Sequence, residues 1–301
     1  MQKILNGDAV EELAKLDGGI AQACVTSPPY WGLRDYGSAS QIGAEASLGE
    51  YIARLVSVFE EVRRVLADDG CLWLNLGDSY AGGGGYSPSS PANQKREAGK
   101  GWGSLNPAKK ERVDAREKPI RASLQRSGLP NKNLVGVPWR VALALQESGW
   151  ILRSEVIWSK PACMPEKVSD RPSRSHEHLF LLTKHARYYY NPAPIQSGPN
   201  GANARTVWSV GLKPYSGAHF ATYPPELARR CILTASRPGD AVLDPFAGSG
   251  TTGAVALSEG RRALMIEVNA AYCDIIRRRL AAAMTGVSEK EQGQGQAALF
   301  S

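Results

Sequence analysis

Ala241-Val242-Leu243 is a short apolar run that leads directly into Asp244-Pro245-Phe246-Ala247-Gly248-Ser249-Gly250-Thr251-Thr252. A helical stretch then runs to Glu259, followed by a second apolar run, Ala263 to Ile266, and an acid, Glu267. Strand, glycine turn, helix, strand is the repeating unit of open α/β sheets. Such sheets bind ligands in the crevice at the carboxyl ends of their strands. The unit therefore fixes both a fold class and the edge of the sheet to search.

Gly248, Gly250 and Gly253 satisfy G-x-G-x-x-G, and Glu267 stands near the spacing of a ribose-binding acid, so a dinucleotide site has to be weighed. Asp244 argues against it. A carboxylate ahead of the glycines repels a pyrophosphate and attracts a ligand carrying an ammonium and a sulfonium. That ligand's own carboxylate can take the amides of Gly250 and Thr251 where the helix begins. Glu267 is then placed to accept both ribose hydroxyls. S-adenosyl-L-methionine meets all three demands, whereas NAD meets only the last.

A second unusual stretch lies more than two hundred residues upstream, at Thr26-Ser27-Pro28-Pro29-Tyr30-Trp31. It follows the apolar run Ile20 to Val25 and reads as a loop at a strand's carboxyl end. Two successive prolines remove two backbone donors and fix two φ angles, which stiffens the loop. Carbonyl oxygens held outward beside the flat faces of Tyr30 and Trp31 suit a planar base carrying an amino group.

The rest of the chain alternates in the same way. Residues 3–7 form a strand ending at Gly7-Asp8, and Asp8 is either a helix N-cap or a ligand-facing acid. Ser47-Leu48-Gly49-Glu50 has capping-box form and opens an amphipathic helix through Leu66. Asp69-Gly70 is expected to end that helix, and Cys71 to Leu76 is a buried strand. Further on, Val137-Pro138-Trp139 starts a helix with Pro138 as its first residue, and Trp150–Trp158 and Glu177–Thr183 read as strands. Residues 191–218 read as loop, Pro224–Ala235 as helix, and Asn269 as the cap of a last helix. The alternation predicts a parallel sheet covered on both faces.

Residues 82–133 interrupt this pattern. They open with four glycines and carry eleven lysines or arginines against four acids, a surplus of seven that equals the +7 of the whole chain. Such a stretch buries little; it is either a solvated loop or an electrostatic arm for a phosphate backbone, and the concentration of charge favours the arm. The five cysteines lack a C-x-x-C pair, which disfavours a disulfide framework or thiolate zinc site and fits a reducing cytoplasm. His176-Glu177-His178 lacks a third convincing metal ligand, so no metal is expected there. The N-terminus has no signal pattern and no apolar run approaches membrane-spanning length.

Together the two motifs resemble those of the amino-directed DNA methyltransferases with the β order of motifs. The TSPPYW loop is similar to that family's S/D-P-P-Y/W/F signature, and DPFAGSGTT to its F-x-G-x-G cofactor motif. The likeness covers nearly all of residues 3–283. It implies a Rossmann-like S-adenosylmethionine-dependent sheet with permuted motif order and inserted DNA-recognition segments. It further implies a division into 1–81 (catalytic half of the core), 82–133 (basic insertion), 134–158 (core helix and strand), 159–218 (DNA recognition), 219–284 (cofactor half) and 285–301 (disordered tail).

By the same likeness, Ser27, Pro28, Pro29 and Tyr30 carry the catalysis. Asp8, Phe220, Thr222, Asp244, Pro245, Phe246, Gly248, Ser249, Gly250, Thr251 and Glu267 hold the cofactor. The implied partner is double-stranded DNA in the cytoplasm, without a membrane. A cognate restriction endonuclease is compatible with the likeness, and monomer and dimer both stay open. Serine at 27 resembles the N4-cytosine enzymes; adenine enzymes more often carry Asp or Asn there, and N6-adenine remains the alternative. RNA or protein-glutamine methylation is a remoter rival, as is a catalytically silent DNA-binding module. No cysteine follows a proline, which sets aside cytosine-C5 chemistry.

Overall fold

The computed structural model describes residues 2–32, 41–82, 127–163, 166, 168–196, 201–211 and 223–285. The positions Phe220 and Thr222, most of the basic stretch (83–126) and the tail from 286 lie outside them.

Among the described residues eight strands form one sheet: β1 (Gln2–Asn6), β2 (Ala21–Thr26), β3 (Leu66–Leu76), β4 (Ile151–Ser159), β5 (His176–Thr183), β6 (Val207–Ser209), β7 (Ala241–Asp244) and β8 (Arg262–Glu267). Their order across the sheet is β1-β8-β7-β2-β3-β5-β4-β6. All neighbours run parallel except at β5, which is antiparallel to both β3 and β4. The expectation of a parallel sheet is corrected at that one strand. Strands from the two ends of the chain meet at one edge, where Leu5 pairs with Ile266.

Two helical layers cover the sheet. On one face lie α1 (Ala9–Ala14), α2 (Leu48–Val65) and α3 (Val137–Glu147). On the other lie α4 (Pro225–Ala235), α5 (Thr251–Ser258) and α6 (Ala270–Thr285). The sorting follows from the period of two along each strand. In β2, Cys24 joins the core under α2, while Ala23 and Val25 join Cys231 and Ile232 of α4. Helix α2 starts where the sequence places it: Ser47 accepts from the Glu50 amide and Glu50 reaches back to the Ser47 amide, closing the capping box. Its buried stripe (Leu48, Tyr51, Leu55, Val58, Phe59, Val62) has helical spacing.

Three local expectations are corrected. Leu66 turns directly from helix into strand, so Asp69-Gly70 lies inside β3 instead of ending α2. The polar start of β3 is held in place by Lys184 at Asp68 and by Gln22 at Asp69. Pro138 is the second residue of α3, with Gly136 as N-cap at φ 73°. Within the segment read as loop, Val207–Ser209 adds a short parallel edge strand to β4.

Candidate active site

The sheet order reverses between β7 and β2. From β7 the chain builds outward through β8, and from β2 it builds the other way through β3. A crevice opens at such a switch point. The two motifs stand on either side of it, because Cys24 pairs with Leu243 and each strand ends a residue or two later. The distant turns predicted from sequence to meet do stand side by side at one edge.

A buried knot joins them. Asp244 is 2% exposed, and Thr26 Oγ1 donates to its Oδ1 at 2.6 Å while Thr252 Oγ1 donates to its Oδ2 at 2.6 Å. The Phe246 amide also donates to Oδ1, at 3.1 Å. Tyr223 closes the knot by a hydrogen bond to Thr252 Oγ1. Burial raises the Asp244 carboxyl above its ordinary range, and these donors pull it back. Asp244 is thus the buried anchor that ties the two turns together.

The turn itself needs glycine. Gly250, the N-cap of α5, has φ 81°, and a Cβ there would meet Ile276 at 3.2 Å. Gly248 has φ 52°, and the nearest atom to a Cβ would be the Phe246 carbonyl oxygen, 3.9 Å away. The space in front of Gly248 is thus open. Arg279 from α6 grips the turn through the Ser249 carbonyl (2.8 Å) and hydroxyl (2.7 Å).

One strand further out, Glu267 accepts from the Gly248 amide at 2.8 Å with one oxygen and from the Asn269 amide at 2.9 Å with the other. Each oxygen keeps acceptor capacity for another donor. Burial pushes this carboxyl up to about 7. At the β1 end, Asp8 caps α1 through the Val10 amide at 2.9 Å. Its second oxygen faces Arg54 at 3.7 Å, so the capping reading holds and the acid also lies along the same sheet edge.

In the proline loop, Tyr51 donates to the Pro29 carbonyl at 2.9 Å. Tyr30 packs so closely on Gly77, at the end of β3, that a Cβ there would lie 2.6 Å from its Cε2. The Tyr30 hydroxyl donates to Glu177 Oε2 at 2.7 Å, with Asn75 Oδ1 at 3.4 Å and Ser27 Oγ at 3.5 Å. Burial, and then the Glu177 charge, raise the Tyr30 phenol well above its usual value. Trp31 is corrected: it is 2% exposed and its indole donates to the Glu45 carbonyl, so it belongs to the core and offers no platform.

Sequence reasoning passed over Thr26, Thr252, Gly77, Lys160 and Glu177. Glu177 belongs to neither motif; its place near the start of β5, on the same sheet edge as the proline loop, is the signal that marks it. His178 bonds to Glu155 at 2.6 Å and stacks on Phe180. Among the described residues no group of His, Cys, Asp and Glu is arranged to hold a metal ion, and no helix is long and apolar enough to cross a membrane.

Open space before a left-handed glycine, a buried acid behind it and a second carboxylate, Glu267, beside it fit S-adenosyl-L-methionine. Fold and site define an S-adenosylmethionine-dependent methyltransferase. A family model described as DNA methylase matches residues 21–278. The type II methyltransferase M.Cfr9I of Citrobacter freundii is 48% identical over 288 residues, covering 94% of this chain and 89% of that protein. M.SmaI of Serratia marcescens is 47% identical over 283 residues, covering 92% and 90%.

Among solved structures, the cytosine-N4-specific PvuII DNA methyltransferase matches with a TM-score of 0.65 and 18% identity, over 96% of this chain and 89% of that one. A putative DNA modification methylase from Thermus thermophilus, solved with S-adenosyl-L-methionine, matches at 0.60 and 23%, over 96% and 98%. The chain belongs to the N6/N4 DNA methylase family.

Proposed function

We propose that this enzyme methylates the exocyclic N4 of a cytosine flipped out of duplex DNA. The observation that carries this reading is Ser27: an uncharged hydroxyl stands where the loop leaves β2, beside Thr26, whose own hydroxyl is bound to Asp244. An exocyclic amine is a poor nucleophile because its lone pair is delocalised into the ring. Acceptors at the Ser27 hydroxyl and the Pro28 carbonyl would hold the amine's protons and favour a pyramidal nitrogen. Tyr30, wedged against Gly77, would stack on the base. The chain's contribution is alignment and hydrogen bonding, without a covalent enzyme intermediate.

S-adenosyl-L-methionine supplies an electrophilic methyl group. Gly248, Ser249, Gly250, Thr251 and Glu267 would hold it, with Asp244, Pro245 and Phe246 shaping the turn. We assign Asp8 to its adenine end, and Phe220 and Thr222 to its methionine end. Residues 159–218 are assigned to reading the DNA and the basic stretch 82–133 to its phosphates. N6-adenine is the alternative target. Liquid chromatography of nucleosides from host DNA after expression separates them: N4-methylcytosine is expected, and N6-methyladenine would overturn the choice.

A further inference from the structure

Removing the amine's proton poses a difficulty that Ser27 alone does not solve. A serine hydroxyl is not a base at neutral pH; it passes a proton on only if another group takes its own. Three polar side chains meet the Tyr30 hydroxyl among the described residues: Ser27, Asn75 and Glu177. Of these, only Glu177 is a carboxylate. Asn75 is an amide already anchored by its Nδ2 to the His178 carbonyl at 3.1 Å.

We propose that Glu177 receives the proton that leaves the target amine, passed through the hydroxyls of Ser27 and Tyr30. This rests on the cytosine reading above, in which Ser27 faces the amine. The hydrogen bonds already point the right way: Ser27 donates to Tyr30 Oη, and Tyr30 donates to Glu177 Oε2. As the new N–C bond forms, the amine N–H bond breaks and its proton goes to Ser27 Oγ. The serine proton moves to Tyr30 Oη and the phenolic proton to Glu177. No net charge stays on Ser27 or Tyr30, and the Glu177 carboxylate ends as the neutral acid.

Two features suit Glu177 to this task. Lys160, which follows β4, is ion-paired with its other oxygen and holds the carboxylate so that Oε2 faces the Tyr30 hydroxyl. Both side chains of that pair are 17% exposed, so the proton has a short way to water. The raised phenol of Tyr30 keeps the relay in its protonated state between turnovers. Glu177 and Lys160 sit at the facing ends of β5 and β4, on the same sheet edge as Ser27.

The test is single-turnover methyl transfer to duplex DNA at saturating S-adenosylmethionine. It compares wild type, Glu177→Gln, Tyr30→Phe and the double variant, with DNA affinity and base extrusion followed by a fluorescent cytosine analogue at the target. Each single variant is expected to slow transfer roughly 100-fold, with affinity and extrusion unchanged. The double variant is expected to be no slower than either. In Glu177→Ala, formate is expected to restore rate, and formamide, its neutral counterpart of similar size, is not.

Wild-type rate in Glu177→Gln, a loss confined to DNA affinity or extrusion, or equal rescue by formamide would overturn the proposal. If the Glu177 variants fail to fold, Tyr30→Phe, which deletes one oxygen, decides alone: an unchanged rate overturns it. The wild-type product is identified separately by nucleoside chromatography. N6-methyladenine there would sink the cytosine reading, while the rate ratios still judge the proton path.

Discussion

Thr26 Oγ1 lies 2.6 Å from Asp244 Oδ1, across 218 positions of sequence. That one bond fastens the residue before the proline loop to the residue that begins the glycine turn. A hydrogen bond to a charged group is worth about 1.5–3 kcal/mol, and a buried carboxylate missing a donor is costly. Thr26→Val keeps the shape and deletes the donor. Its urea unfolding free energy is expected to fall by about 2 kcal/mol, with weaker cofactor binding by calorimetry; unchanged values in both would contradict the link.

Gly248 and Gly250 separate binding from folding. Alanine at either must adopt left-handed backbone, which costs about 1–2 kcal/mol. At Gly250 the new methyl also meets Ile276 at 3.2 Å, whereas at Gly248 it enters open space. Gly250→Ala is expected to be the less stable in thermal unfolding. Gly248→Ala is expected to lose more cofactor affinity than stability.

Glu267 links cofactor binding to pH. Its carboxyl is pushed from 4.5 to about 7 by burial. Below 4.5 the folded and unfolded chains both hold the proton, so the shift contributes nothing. Between 4.5 and 7 the unfolded chain releases it first, and stability falls as pH rises. Above that window the whole penalty applies, on the order of 3 kcal/mol. Asp244, also raised by burial, acts in the same direction. In the proposed placement ribose hydroxyls donate to Glu267 and favour its ionised form, so cofactor binding at about neutral pH is expected to release protons and to tighten as pH rises. Calorimetry at neutral pH in buffers of different ionisation enthalpy measures this, and no buffer dependence would contradict it.

Gly77 fixes where Tyr30 sits. A Cβ 2.6 Å from Tyr30 Cε2 has to push the ring aside. Misplacing a reacting group by about 1 Å can cost about 100-fold in rate. Gly77→Ala is expected to slow methyl transfer by about that factor while leaving cofactor affinity intact, as read by single-turnover kinetics and calorimetry.

The elements with strong local signals were legible in the sequence. The capping box at Ser47 and Glu50, the helical stripe after it and the glycine turn at 248–250 each depend on near neighbours. The rest depends on contacts far along the chain. Strand β6 has only three residues and exists because Ile157 to Ser159 offer it a pairing edge. Strand β3 begins with Leu66 and then Ala67-Asp68-Asp69-Gly70, which reads as a turn until Lys184 and Gln22 arrive to bind the acids. Trp31 looked like a free platform because nothing in the motif itself shows the Glu45 carbonyl that takes its N–H. The two motifs are legible in the sequence, but the distant groups that contact them are not. Tyr30 reaches Glu177 across 147 positions, and no spacing rule covers that distance.

Tyr30→Ala tests the central claim most directly, because it removes the surface proposed to hold the extruded base and leaves the glycine turn at 248–250 untouched. Base–aromatic stacking is worth about 1–3 kcal/mol per base. Transfer of labelled methyl from S-adenosylmethionine to duplex DNA is expected to fall by at least about ten-fold, with the cofactor dissociation constant unchanged. Turnover equal to wild type would contradict the account.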